Sequence, residues 1–200
     1  MTQSSTQRTQ QMSLTDMVVV IDTREKPKAI EKILKYFDDN GIRHISSKLY
    51  CGDYQLLSNG LVVVDRKQSL AEVCSNLIQD HERFRAEAVR AQEAGIELVI
   101  LVEHGGNIHS LADVAGWTNP RLFGYCKRNR IPMRGDLKAN IAEYVSHGGQ
   151  KPPTSGPQLQ KTMQTMAEKY GIRWEFCDKC HTGQRIIEIL TEGGKGNAYG

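Results

Sequence analysis

The sequence predicts an α/β layer fold, a central mixed sheet with helices on both faces. Three observations predict it. Short β-branched apolar runs recur along the chain, at residues 17–21 (MVVVI), 61–64 (LVVV) and 97–103 (ELVILVE), and read as buried strands. Between them lie segments whose apolar residues recur at helical spacing. The order of elements is β-α-β-β-α-α-β, then an irregular stretch, then α-β-α, which suits a layered sheet rather than a bundle or a sandwich. The 200 residues are enough for one domain with a sizeable core.

The first strand, residues 17–21, runs directly into Asp22-Thr23-Arg24-Glu25. Pro27 suits the first turn of a helix, Ile30, Ile33, Leu34 and Phe37 form its apolar face, and Gly41 closes it. Residues 44–57 read as extended structure interrupted at Cys51-Gly52. Ser58-Asn59-Gly60 is a hairpin signal, because Asn-Gly supplies the positive φ angles such a turn needs. Residues 61–67 are the return strand. Ser69 and Glu72 form a capping box for the next helix, with Leu70, Val73, Leu77 and Ile78 inward. A second helix, residues 82–93, turns Phe84, Ala88 and Ala91 inward and ends at Gly95. A strand at 97–103 follows. Later come a helix at 158–170 with Leu159, Met163 and Met166 on one face, a strand at 172–177 and a closing helix at 184–190.

Residues 104–156 are the least regular part. Gly105-Gly106, Asn119-Pro120, Gly148-Gly149 and Lys151-Pro152-Pro153 punctuate them, so they read as a variable insertion between core elements. Residues 1–15, rich in Ser, Thr and Gln, read as a disordered tail, and residues 193–200 (GGKGNAYG) as a flexible one. That leaves a single domain over 16–192. The net charge of +3 neither argues for a nucleic-acid partner nor excludes one. The polar N-terminus has no signal-peptide core, and no apolar run approaches the ~18 residues of a membrane span. The five cysteines show no regular spacing. These features predict a cytoplasmic protein with free thiols and no membrane partner.

The chemistry concentrates at one strand end. The run Leu61-Val62-Val63-Val64 passes without a break into Asp65-Arg66-Lys67. Side chains alternate faces along a strand, so Asp65 and Lys67 share one face and Arg66 takes the other. Asp53, on the preceding strand of the hairpin, is placed to meet Asp65 across the ladder. Two adjacent carboxylates are costly unless a cation lies between them. All-oxygen ligands favour Mg²⁺ or Mn²⁺. A neighbouring lysine can orient or deprotonate a water, or offset charge on a phosphorane-like transition state. The alternative is a merely solvated strand end. Against it, Asp22-Thr23-Arg24-Glu25 also follows a buried strand, and ligands gather beyond the carboxyl ends of strands in open α/β sheets.

Val20-Ile21-Asp22-Thr23-Arg24-Glu25, then Gly52-Asp53-Tyr54, then Val64-Asp65-Arg66-Lys67 resembles the XPF-type structure-selective endonucleases. Their signature is Gly-Asp, a spacer, Glu-Arg-Lys, three residues and Asp. The resemblance runs from about Val18 to Leu190 and includes Arg83-Phe84. It implies a restriction-endonuclease-like central mixed sheet flanked by helices, and a metal-dependent DNA endonuclease acting on branched or flapped DNA. It implies Mg²⁺ or Mn²⁺ as cofactor, no organic cofactor, and a homodimer. Asp53 and Asp65 would hold the metal, with Asp22 or Glu25 completing the acids and Lys67 positioning the water. Arg24, Arg66 and Arg83 would contact phosphate or order the acids, and for Arg24 and Arg66 a structural ion-pair role stands beside that one. Two positions depart from the signature: Asp65 replaces the glutamate, and Ala71 replaces the last aspartate, with Glu72 one residue along as a candidate substitute ligand. No tandem helix-hairpin-helix or helicase portion is recognisable, so the resemblance is to a stand-alone form associated with phages and with repair or recombination.

Two other constellations carry alternatives. Residues 121–138 hold Arg121, Lys127, Arg128, Arg130, Arg134 and Lys138 against the single Asp136, with Phe123 and Tyr125 interleaved. Such a patch can follow a phosphate backbone and stack on unpaired bases, or it can be a solvated loop. Cys177-x-x-Cys180-His181 is half a zinc site or a haem-attachment pattern, but Cys177 ends a strand and reads as a small core residue. The remaining alternatives to an active nuclease are therefore a DNA-binding module without catalysis, which Ala71 keeps open, and a zinc-dependent interaction domain. His104, His109 and His147 read as surface histidines, and Trp117 and Trp174 as packing anchors.

Overall fold

The computed structural model describes residues 17–192; both stretches read as tails lie outside them. The elements are β1 (Val18–Asp22), α1 (Pro27–Asp39), β2 (Arg43–Ser47), β3 (Tyr54–Leu56), β4 (Asn59–Lys67), α2 (Leu70–Ile78), α3 (His81–Glu93), β5 (Glu97–Glu103), a 3-10 turn (Leu111–Gly116), α4 (Arg121–Arg128), α5 (Leu137–Ser146), α6 (Gly156–Tyr170), β6 (Arg173–Cys177) and α7 (Thr182–Glu192). The strands form one six-stranded sheet in the order β2-β1-β3-β4-β5-β6. The β1-β2, β4-β5 and β5-β6 pairs are parallel, and the β1-β3 and β3-β4 pairs are antiparallel.

Alternation along the strands builds two cores. Val63, Ile100 and Val102 face α2, α3 and α6, where they meet Leu70, Leu77, Phe84, Leu159 and Met163. Val62, Val64, Val99 and Leu101 face α1 and α7, where they meet Ile33, Phe37, Ile186 and Leu190. Val62 through Val64 are all buried because β4 is central and covered on both faces. Trp117 is buried in the first core, and Trp174 stacks on Phe84 while its indole donates to the Met163 carbonyl.

Three expectations need correction. The extended stretch 44–57 is two strands on opposite sides of β1 rather than one arm of the hairpin. β2 pairs in parallel with β1 through the α1 crossover, and its mostly exposed pattern suits a sheet edge. Ile78 is half exposed at the end of α2 instead of facing inward. The insertion is more regular than its punctuation suggests: α4 and α5 form a helical hairpin with its own core of Tyr125, Cys126 and Ile131, against which Leu122, Leu137, Ile141 and Tyr144 pack. Surrounding cations and turn residues hide that helical spacing.

Candidate active site at the carboxyl ends of the central strands

Gly52 sets up the site. It adopts φ +66°, and a Cβ there would run into Val63 Cγ1, so only glycine fits the turn. The next residue, Asp53, donates its N–H to the Val64 carbonyl (2.8 Å), and its carboxylate accepts from the Arg66 N–H (2.8 Å). This braces the carboxylate across the β3-β4 ladder beside Asp65. Lys67 Nζ lies 2.7 Å from the Asp65 carboxylate and donates to Oδ1, and both side chains are nearly buried. Asp65 Oδ2 is buried, and Lys67 Nζ, 2.7 Å away, is its only close partner among the described residues. Burial and the neighbouring Asp65 carboxylate push the Asp53 carboxyl well above the usual range. Burial would lower the Lys67 ammonium, but Asp65 and Asp53 together outweigh it and raise it. Asp53, Asp65 and Lys67 thus form a cluster on one face of the sheet, with Asp65 buried and the other two partly exposed.

The other face of the same strand ends carries a different network. Arg66, with its side chain 1% exposed, donates through Nη1 to Glu103 (3.0 Å) and through Nη2 to Glu25 (3.1 Å). Thr182 Oγ1 also donates to Glu103 (3.0 Å), and Tyr54 OH to Glu25 (3.1 Å). Glu25 and Arg66, both read as catalytic, therefore lie behind the strands from Asp65 and Lys67, and they tie β1, β4, β5 and α7 together.

Asp22 lies beside Asp53, donating its N–H to the Asp53 carbonyl (2.8 Å), but its carboxylate is engaged elsewhere. Asp22 is buried, and its carboxylate accepts from the Arg24 side chain (2.6 Å), the Arg24 N–H and the Leu49 N–H (2.7 Å). Burial alone would raise its pKa, but these bonds outweigh it and lower it. Glu72 Oε2 accepts from the Gln68 N–H (2.8 Å), completing the helix cap with Ser69, although Lys67 still feels its charge. Ala71 is exposed in the first turn of α2. Arg83, Arg121, Lys127, Arg128, Arg130 and Arg134 are exposed, while Tyr125 is buried with its hydroxyl on the Gln150 carbonyl (2.6 Å). Tyr125 is therefore a core residue of the helical hairpin and offers no stacking face.

Two carboxylates went unnoticed in the sequence. Glu103 ends β5 as Asp22 ends β1, so the same signal was there to find it. Glu87, on α3, accepts from the Gly52 N–H (2.9 Å) and holds the turn that presents Asp53. Nothing in its local pattern marks it, because that contact spans 35 residues.

Among the described residues, no three His, Cys, Asp or Glu side chains converge to hold a metal. Of the expected set of Asp53, Asp65, Asp22 and Glu72, the carboxylates of Asp53 and Asp65 are side by side, while those of Asp22 and Glu72 accept other hydrogen bonds. The Asp53–Asp65 pair fits a hard cation: both donors are carboxylates, and the Asp65 carboxylate penalises the charge on Asp53. Mg²⁺ is commonly held by one or two carboxylates, with water and phosphate filling its other positions. The zinc alternative loses its geometry. Cys177 packs toward the second core with its thiol near Thr182, whereas Cys180 is exposed.

The comparisons agree with this arrangement of strands. The ERCC4 domain family model matches residues 21–178, which contain every residue of the cluster. XPF from Aeropyrum pernix is 20% identical, with a TM-score of 0.49 over 90% of this chain and 66% of that one. The same protein in complex with DNA is 20% identical, with a TM-score of 0.52 over 92% of this chain and 68% of that one. This chain thus spans about two thirds of the XPF chains it resembles. No significant match appears among curated proteins. The mixed six-stranded sheet has the restriction-endonuclease-like fold of XPF. With the family model covering most of the chain, this protein belongs to the ERCC4 domain family.

Proposed function

We propose that this protein is a metal-dependent endonuclease that hydrolyses a phosphodiester of branched or flapped DNA. ERCC4-domain proteins are nucleases and generally depend on a divalent metal. The observation that carries the reading is the Asp53–Asp65–Lys67 cluster, two adjacent carboxylates with a lysine paired to the buried one, at the carboxyl end of a central strand. The similarity to an XPF solved with DNA supports the choice of substrate.

Asp53 and Asp65 would hold Mg²⁺ or Mn²⁺. When bound, that cation supplies Lewis-acid charge at the scissile phosphate and acidifies the attacking water. Lys67, kept protonated by the two acids, acts as a hydrogen-bond donor that orients the water and offsets charge on the phosphorane-like transition state. Hydrolysis is in line, with no covalent intermediate. Asp22 orders Arg24 and the loop at Leu49, and Arg66 orders the strand ends. Arg24 and Arg83 remain exposed for phosphate. A single nuclease domain over 16–192 and a homodimer complete the proposal, and measuring the mass in solution tests the dimer.

The test is cleavage of labelled flap, fork, four-way-junction and linear duplex DNA with Mg²⁺ or Mn²⁺. Asp65→Ala and Lys67→Ala should each lower cutting by roughly 100-fold or more while the fold persists. DNA binding by wild type with no cutting of any substrate would instead favour a binding module, with Ala71 as the first suspect.

A further inference from the structure

The α4–α5 hairpin is joined to the body beside α2. Asn119 is buried at its entrance, donating to the Thr154 carbonyl (3.0 Å) at its exit and approaching Cys74 Sγ (3.9 Å). Cys74 lies on α2, the helix that begins at Leu70, just after Lys67. Tyr125 and Cys126 turn inward, so Arg121, Phe123, Gly124, Lys127 and Arg128 make up the opposite face of α4.

Three features of that face run against local stability. Phe123 is 63% exposed although the hairpin core lies one residue away. Arg121, Lys127 and Arg128 crowd like charges along two turns of helix, and none of them makes an ion pair among the described residues. Gly124 sits inside the helix, where alanine would be more stable. A Cβ there would meet only Arg128 Nη1, at an ordinary 3.6 Å. No packing within the chain asks for its missing side chain. An exposed aromatic ring among unpaired cations, beside a bare stretch of helix backbone, matches a base stacked between neutralised phosphates. Gly124 leaves room for a phosphate to approach the helix.

We infer that this face of α4 is a subsite for single-stranded DNA, with Phe123 stacking on an unpaired base and Arg121, Lys127 and Arg128 taking the flanking phosphates. The choice of DNA rests on the nuclease reading above. In a branched substrate the subsite would hold an unpaired arm while the duplex occupies the cleavage cluster.

The test is binding of fluorescein-labelled oligothymidylate and of a blunt duplex of equal length, by anisotropy, with the full chain in EDTA. Without metal, binding is read separately from cutting. Phe123→Ala should weaken oligothymidylate binding roughly 5- to 150-fold and leave duplex binding within about two-fold. Lys127→Ala should also reduce the salt slope for the single strand by about 0.7. Gly124→Ala should raise the melting temperature and yet weaken single-strand binding, a combination that simple loss of structure does not produce. The inference is overturned if wild type does not bind oligothymidylate, if Phe123→Ala binds it as tightly as wild type, if that variant loses duplex equally, or if oligouridylate is preferred. Failure of the nuclease reading looks different: wild type would cut nothing with Mg²⁺ or Mn²⁺, and the EDTA result would stand.

Discussion

Replacing Arg66 by methionine removes the cation that Glu25 and Glu103 share. Methionine has similar length and no polar group to bury. Its consequence follows from how each acid is left. Glu103, with its side chain 2% exposed, keeps only the Thr182 hydroxyl, and its Oε2 already lacks a partner. Glu25 is 17% exposed and keeps Tyr54, so water can compensate it in part. Stranding one partner of a buried ion pair costs about 3–5 kcal/mol, and the partial rescue of Glu25 places this case at about 3–4 kcal/mol. For a chain of this size that is a fall in melting temperature of about 10 °C. Urea unfolding at neutral pH measures it. Adding Glu103→Gln should recover part of the loss, because the stranded charge disappears while the Thr182 bond remains. A loss below about 1 kcal/mol, or a double variant as unstable as the summed singles, would refute the reasoning. Arg66→Met should also retain metal-dependent cutting within about ten-fold at a temperature where it stays folded, against the roughly 100-fold loss expected of a group at the reacting atoms.

Two further outcomes follow from the site. Asp53→Asn should stabilise the metal-free protein at neutral pH and lose that advantage in acid. Burial and Asp65 raise the folded-state pKa of Asp53, so the wild type loses stability as pH rises from the ordinary carboxylate range through that raised value. Melting temperatures in EDTA near pH 4 and pH 7 check the sign, and an advantage confined to acid would contradict it. Gly52→Ala should destabilise by about 3 kcal/mol, since it combines a left-handed φ with overpacking against Val63. A soluble variant with wild-type stability would show that the turn relaxes.

Local pattern and through-space partnership separate cleanly in this chain. Periodicity along the sequence determined the order of elements, the two buried faces of β4, the cap at Ser69 and the shared face of Asp65 and Lys67. Those properties depend only on the helix and strand repeats and on neighbouring side chains. Gly52 and Asp53 were legible for the same reason, being a turn and its next residue beside an apolar return strand. The tertiary structure alone decided that β2 crosses to the far side of β1, where its sparse apolar residues suit an edge. It also decided that Asp22 is engaged by a backbone N–H 27 residues away at Leu49, that Glu87 reaches across from α3 to hold Gly52, and that Arg66 is enclosed by Glu25 and Glu103. An acid's spacing in the sequence says which face it takes. Which donor reaches it first depends on how distant segments pack, and that competition divides Asp22, Arg24, Glu25, Asp53, Asp65, Arg66 and Lys67 into a cation-ready pair with its lysine, a loop brace and a buried structural network.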